Sequence, residues 1–580
     1  MGAFSAEKQQ AIPRAEHPRP QWMRESWINL NGEWQFEIDN ARSGEERGLH
    51  REGASLSQVI TVPFCPESRL SGLAHTDFMR GVWYKRTITL PKHNGVTRLH
   101  FGAVDYAAKV FVNGMAVGTH KGGYSPFWVD VSEALRDGEN EITVFAQDDT
   151  TDPLIPSGKQ STSFASQGCF YTRTTGIWQT VWLEQLPPVF VESVSYTTNI
   201  YDGSVTVEVA LHGEGAFSCD ILFDGRPMGH YEVGYATERL TFTVPLAEVH
   251  LWELGQGFLY DTVFRFGEDT VYGYFGLREV RLDGKRFLLN GRPVFQRLIL
   301  DQGFYPDGIY TAPSDEALSE DIRLSMALGF NGARLHEKVF EERYLYHADR
   351  MGYMVWGEYP DWGLDHSRSD SIYPILPEWT AVVMRDRNHP SVIGWCPRNE
   401  TWDQGYRKQN DDAVAMLYEV TKQLDPTRPC IDASGNFHVN TDIFDVHDYD
   451  QDPETVKKRY DRLATEGVLE DRFAERQTYR GEAVMVSEYG GIRFAAGVND
   501  KTLRSSWGYG DDVADTEDFI RRFRGLTDAL LDNPALCGFC YTQLTDVEQE
   551  QNGLYTYERK PKFDAAVLRA IVSRKAAMEG

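Results

Sequence analysis

Along the first 186 residues, short alternating or aromatic runs are broken by Gly, Asn, Asp and Pro. Gly32–Phe36, Val82–Leu90, Ala108–Gly114, Asn140–Ala146 and Gly176–Leu183 read as half-buried strands, because a period of two puts apolar side chains on one face. Asn113-Gly114, inside an apolar run, is a hairpin turn signal. This spacing predicts a β-sandwich of jelly-roll type over residues 1–186. Pro187-Pro188 marks a boundary. A shorter set of runs follows, Ser204–Ala210, Cys219–Phe223, Arg239–Val244 and Tyr260–Phe266, and predicts an immunoglobulin-like sandwich over 187–278.

After Gly276 the texture changes, and apolar runs alternate with helical patterns. The expected strands are Val294–Leu300, Gly332–His336, Tyr353–Glu358, Val392–Cys396, Cys430–Ala433, Phe444–Tyr449, Ala483–Glu488 and Leu536–Leu544. Helical stretches Ser314–Leu328, Phe340–Arg350, Asp411–Leu424 and Thr516–Leu531 lie between them, with Ser314 as an N-cap and Asp425-Pro426 as a stop. This alternation predicts a (β/α)8 barrel over 279–580. The 580-residue length fits about three domains.

Composition narrows the function. A net charge of −27 argues against nucleic-acid or anionic-membrane partners, since either polyanion would be repelled. Neither a signal peptide nor an apolar span is evident, and the seven scattered cysteines read as reduced thiols in a cytoplasm. Cys537 and Cys540 resemble a redox or zinc pair. They lie in an expected strand, where positions three apart point to opposite faces, so both read as core. The 14 Trp and 28 Tyr suit sugar-stacking platforms, and equally suit sandwich cores.

Barrel enzymes place their chemistry where strands end. Two runs deliver a glutamate there: Val392-Ile-Gly-Trp-Cys-Pro-Arg-Asn-Glu400 and Ala483-Val-Met-Val-Ser-Glu488-Tyr-Gly-Gly. A carboxylate beside a core is costly unless it has work or a partner, so either Glu alone reads as a salt-bridge member and the two together as a catalytic pair.

Asn388-His-Pro-Ser-Val-Ile-Gly-Trp-Cys-Pro-Arg-Asn-Glu400 resembles the acid/base signature of glycoside hydrolase family 2, and Ser487-Glu488-Tyr489-Gly490 is similar to its nucleophile motif. Leu289–Val294, Phe330–Arg334, Arg559-Lys-Pro-Lys562 and the domain order extend the resemblance over essentially the whole chain. The resemblance implies a retaining exo-glycosidase. Glu488 would attack the anomeric carbon and Glu400, protonated because of the neighbouring negative charge, would act as general acid and then base. Arg334 would keep Glu488 ionised, Asn399 would donate to the sugar 2-OH, and Tyr449 would stand by the nucleophile. His336, Asp301 and Glu358 are pocket candidates, and Trp402, Trp507 and Trp362 stacking candidates, each with a structural role as the plainer alternative. His447 and Asp448 share a strand end and read as structural or functional alike.

The resemblance also bears on the sugar. β-Glucuronidases hold the sugar carboxylate with an Asn-x-Lys motif. The matching stretch here is Glu550-Gln551-Asn552, which lacks the cation, and Asn499-Asp500-Lys501 is a chance match elsewhere. A neutral sugar is therefore expected, with β-galactoside as the default and glucuronide or arabinoside as the alternative. Arg398 keeps the uronide open. No cofactor is required. Some family members use Mg2+ or Na+, but no ligand spacing here supports a metal. Homo-oligomerisation is left open. The competing readings are a carbohydrate-binding protein with a degenerate barrel, an inverting hydrolase with wider carboxyl spacing, and an esterase, for which Asp432-Ala-Ser-Gly-Asn436 lacks the leading glycine of a nucleophile elbow.

Overall fold

The structure, a computed structural model, describes residues 12–495 and 506–580. Asn499-Asp500-Lys501 lies outside the described residues.

In the N-terminal region, a six-stranded antiparallel sheet (Gly32–Ile38, Gln58–Val62, Val82–Leu90, Ala107–Val112, Met115–Lys121, Gly138–Gln147) accompanies a four-stranded one (Trp27–Asn29, Val96–Phe101, Phe127–Asp130, Val181–Leu186). Trp34, Phe36, Tyr84, Leu99, Val110, Val144 and Leu183 form one buried core. Asn113 and Gly114 turn the expected hairpin with φ of 52° and 78°, the left-handed pair that matches strand twist.

The second region is built on two 20-residue strands, Ser204–Phe223 and Arg226–Pro245, paired with each other. The expected runs Ser204–Ala210 and Cys219–Phe223 are halves of one strand. Register breaks after Ala210 and Gly215 bend it, so its first half pairs with Phe190–Asn199 and its second with Tyr260–Phe266. Val207, Phe217, Phe264 and Phe275 fill the fold between. Buried Arg24 joins the two regions through Asp269 (2.9 Å) and Glu184 (3.1 Å).

The C-terminal region is a (β/α)8 barrel. Seven parallel strands run in the order Val392–Cys396, Met354–Glu358, Gly332–Leu335, Gln296–Asp301, Leu536–Thr542, Ala483–Gly490, Ile443–Asp448. The expected strand Cys430–Ala433 is not a regular strand. It touches its neighbour at isolated bridges, Trp395 to Cys430 and Asn399 to Ser434. Side chains replace its outer ladder: Asp442 accepts from Cys430 N, and Asp432 accepts from Val439 N and Asn440 N, turning the chain before a ladder forms. Helices Asp315–Ala327, Glu342–Met351, Asp411–Leu424 and Thr516–Leu531 lie where the pattern predicts them, and Ser314 caps the first through Ala317 N. Cys537 and Cys540 are both buried in the core.

Candidate active site

Arg334, Glu358, Glu400, Tyr449 and Glu488 come from five different barrel strands or the loops just beyond them, and they converge at the C-terminal face. Arg334 is the hub. Its guanidinium, 1% exposed, donates to Glu488 Oε1 (3.0 Å), Glu358 Oε2 (2.7 and 3.0 Å), Asn399 Oδ1 (3.0 Å) and Ser487 O (3.0 Å). Burial opposes the charge of Glu358, but Arg334 and His336 hold its carboxyl down to about 2. Glu358 is therefore a buried anchor for Arg334 rather than a pocket residue.

Glu488 is buried; its other oxygen accepts from the Tyr449 hydroxyl. The Tyr449 ring stacks on Tyr509, centroids 3.4 Å apart, which fixes that hydroxyl. Glu400 stands at the mouth with φ of 41°, a left-handed conformation costing about 1 kcal/mol for a residue with a Cβ, and is held there by Glu400 N to Ser434 O (2.9 Å).

His447 bridges the two carboxylates: Nδ1 lies 2.6 Å from Glu400 Oε1 and Nε2 lies 3.5 Å from Glu488 Oε1. Gly435, φ 85°, leaves the space for it, since a Cβ there would come within 2.5 Å of the ring. One oxygen each of Glu400 and Glu488 and a nitrogen of His447 lie within 4.8 Å of one another. Burial disfavours a charged His447, but Glu488 and Glu400 raise it above the ordinary imidazole value. Burial would raise Glu400; His447 instead pulls it down to about 2. The expectation that Glu400 starts protonated is thus corrected. Contact with both glutamates favours the proton on the imidazole between them.

Asn399 accepts from Arg334 through Oδ1, and its buried Nδ2 has no partner among the described residues, leaving a donor beside Glu400. His336 lies 2.9 Å from Glu358 Oε1 and 3.9 Å from Glu488 Oε1; burial keeps its ring below the usual imidazole value. Trp402 lines a cleft of about 440 Å³ with Glu400, Phe170, Trp362, Leu364 and Arg407.

One expected pocket residue is placed elsewhere. The Asp301 carboxylate takes Gly303 N (2.9 Å) and Tyr344 OH (3.3 Å), and burial beside Asp321 pushes it up to about 7. It belongs to the packing behind the first strand. Trp507 stays beside the site: its ring meets Tyr509 edge-on (5.3 Å), and its indole donates to Gly168 O of the N-terminal region. Asp448 is structural, held by Arg459, Arg472 and Tyr460. The sequence left the role of His447 open, and it named neither Tyr509 nor Lys159 of the N-terminal region as part of the site.

Among the described residues, only Glu400, His447 and Glu488 lie close enough together to hold a metal. They do not suit a resident cation, because His447 spans the carboxylates and Arg334 already donates to Glu488. Carboxylate oxygens within 4.8 Å of each other suit the retaining arrangement, about 5–5.5 Å between carboxyls.

Comparison with known proteins agrees with this geometry. Residues 74–187 match the model of the glycosyl hydrolases family 2 sugar binding domain, and residues 280–575 that of the family's TIM barrel domain. A β-glucuronidase of Paenibacillus borealis is 24% identical over 93% of this chain and 96% of its own length. One of Pongo abelii is 26% identical over 93% and 90%. A solved β-glucuronidase of Ruminococcus gnavus superposes with a TM-score of 0.79 at 19% identity, covering 97% of this chain and all (100%) of its own.

Two outcomes are expected from the site. Glu358→Ala strands the buried Arg334 charge and lowers the barrel's stability in urea by about 3–5 kcal/mol; a change under about 1 kcal/mol contradicts the anchor role. In wild type the trio's proton is retained until pH rises through the raised His447 value, whereas in His447→Asn it leaves from a carboxyl at lower pH. The basic limb of kcat/KM moves to lower pH in that variant, and an unmoved limb contradicts the bridge.

Proposed function

Because the chain belongs to glycoside hydrolase family 2 and is a retaining glycosidase, we propose that it removes a terminal β-linked uronide, with Glu488 as nucleophile and Glu400 as acid/base. The observation that carries the roles is the Glu488 carboxylate, fixed by Arg334 and Tyr449 and facing Glu400 across a gap of one sugar bond. Glu488 attacks the anomeric carbon and the leaving oxygen takes a proton from Glu400. As a sugar seats, the imidazolium passes its proton to Glu400 across their 2.6 Å contact, which then opens before chemistry. With Glu488 esterified, Glu400 deprotonates the attacking water. Asn399 Nδ2 donates to the 2-OH, and Trp402 lines the leaving-group side. The chemistry requires no cofactor.

For the sugar, the relatives' names support the uronide over the expected neutral β-galactoside. A neutral sugar was expected because Glu550-Gln551-Asn552 lacks a cation, but a cation need not come from that stretch. A cytoplasmic location is proposed with it, supported by the seven free thiols.

Glu488→Gly is expected to lose at least about 10⁴-fold in rate while folding normally, and azide to restore turnover as the α-glycosyl azide. Glu400→Ala is expected to suffer least on substrates with good leaving groups; equal losses on good and poor ones refute its role as the acid. Across a panel of nitrophenyl glycosides, the uronide reading predicts highest kcat/KM on β-glucuronide or another β-uronide, and preference for β-galactoside overturns it.

A further inference from the structure

Lys159 belongs to the N-terminal region yet lies against Trp362 of the barrel. Its segment is docked by backbone: Ser157 N and Gly158 N both donate to Trp362 O (2.7 and 3.1 Å). Two glycines make the fit possible. A Cβ on Gly158, φ 53°, would meet Glu337 O at 2.6 Å, and one on Gly363 would meet the Ser157 hydroxyl at 2.3 Å. Lys159 Nζ then lies 3.7 Å from the centroid of the Trp362 ring, whose Nε1 donates to Asn399 O (3.1 Å), next to Glu400.

Lys159 is 5% exposed, and among the described residues its ammonium has neither a hydrogen bond nor an ion pair. Most oxygens of the carboxylates around it are otherwise engaged. Glu550 accepts from Tyr171 OH (2.6 Å) and Asn552 Nδ2 (3.0 Å), Glu400 faces His447, and Glu337 accepts from Trp362 N (3.2 Å). Burial opposes the charge of Lys159, but Cys169, Glu550, Glu400 and Glu337 hold it above the ordinary lysine value. An indole face replaces only part of the hydration an ammonium loses on burial, and a satisfied pocket would have paired it.

We propose that Lys159 is the specificity-determining cation of the pocket, an ammonium carried by the N-terminal region that binds the ring carboxylate of a uronide. The assignment rests on the uronide reading above and extends it. It places the charge on a different domain from the stretch where the sequence resemblance looks for it. Asn552 and Glu550 then have a structural task, holding each other and Tyr171 so that Glu550 does not quench the lysine.

The test compares wild type, Lys159→Met and Lys159→Arg on nitrophenyl β-glucuronide, β-galacturonide, β-glucoside and β-galactoside, with inhibition by free glucuronic acid and free glucose measured in parallel. Lys159→Met is expected to lower kcat/KM on the preferred uronide by about 100-fold, the worth of one buried charged hydrogen bond, and to leave neutral glycosides within about three-fold. Lys159→Arg restores part of the uronide rate. Free glucuronic acid loses affinity for Lys159→Met while glucose does not, a readout that survives even if the variant turns over slowly. A uniform loss on acidic and neutral substrates, or no loss, overturns the assignment of Lys159 while leaving the uronide reading intact. A wild type that ignores both uronides overturns the reading itself.

Discussion

One buried guanidinium organises this active site. Arg334 cannot shed its proton, so the barrel must surround it with acceptors, and those acceptors are the groups that chemistry needs held still. Glu358 supplies the permanent counter-charge from the neighbouring strand, Asn399 is aligned through its oxygen, and Glu488 is presented as a carboxylate. Isolated burial of any of these charges would cost several kcal/mol; as a network each one satisfies another. The consequence is a nucleophile whose position does not depend on substrate.

The second carboxylate is governed by a softer group. His447 contacts both glutamates, which raise it above the ordinary imidazole value. While His447 contacts Glu400 the proton is favoured on nitrogen, and Glu400 becomes the acid when that contact opens. The left-handed backbone of Glu400 and the glycine at 435 are the local distortions that bring carboxylate and ring together. These are places where sequence propensity is overridden by the site.

Much of the fold is legible in the pattern of the chain, because period-two runs and strand–helix alternation follow directly from which faces are buried. The Glu400 and Glu488 runs are legible for the same reason: an apolar strand that ends in a carboxylate advertises a cost. What escapes is set by side chains acting at a distance. The Cys430–Ala433 segment looks like a strand but is turned by Asp432 and Asp442, whose contacts no local pattern reveals. Asp301 has the position of a pocket residue and the surroundings of a packed one. Lys159 carries no local signal, because the role proposed for it comes from docking one domain on another and from its having no partner among the described residues.

The account stands on Glu488 forming a covalent bond to the sugar. A 2-deoxy-2-fluoro-β-glycosyl fluoride of the preferred substrate slows release of that intermediate enough to trap it, and peptide mapping by mass spectrometry then finds the bonded residue. The account predicts one fluoroglycosyl unit per chain, on Glu488, with loss of activity in step with labelling. Attachment to another residue, or turnover of the reagent with no covalent species and an inverted product, would contradict it.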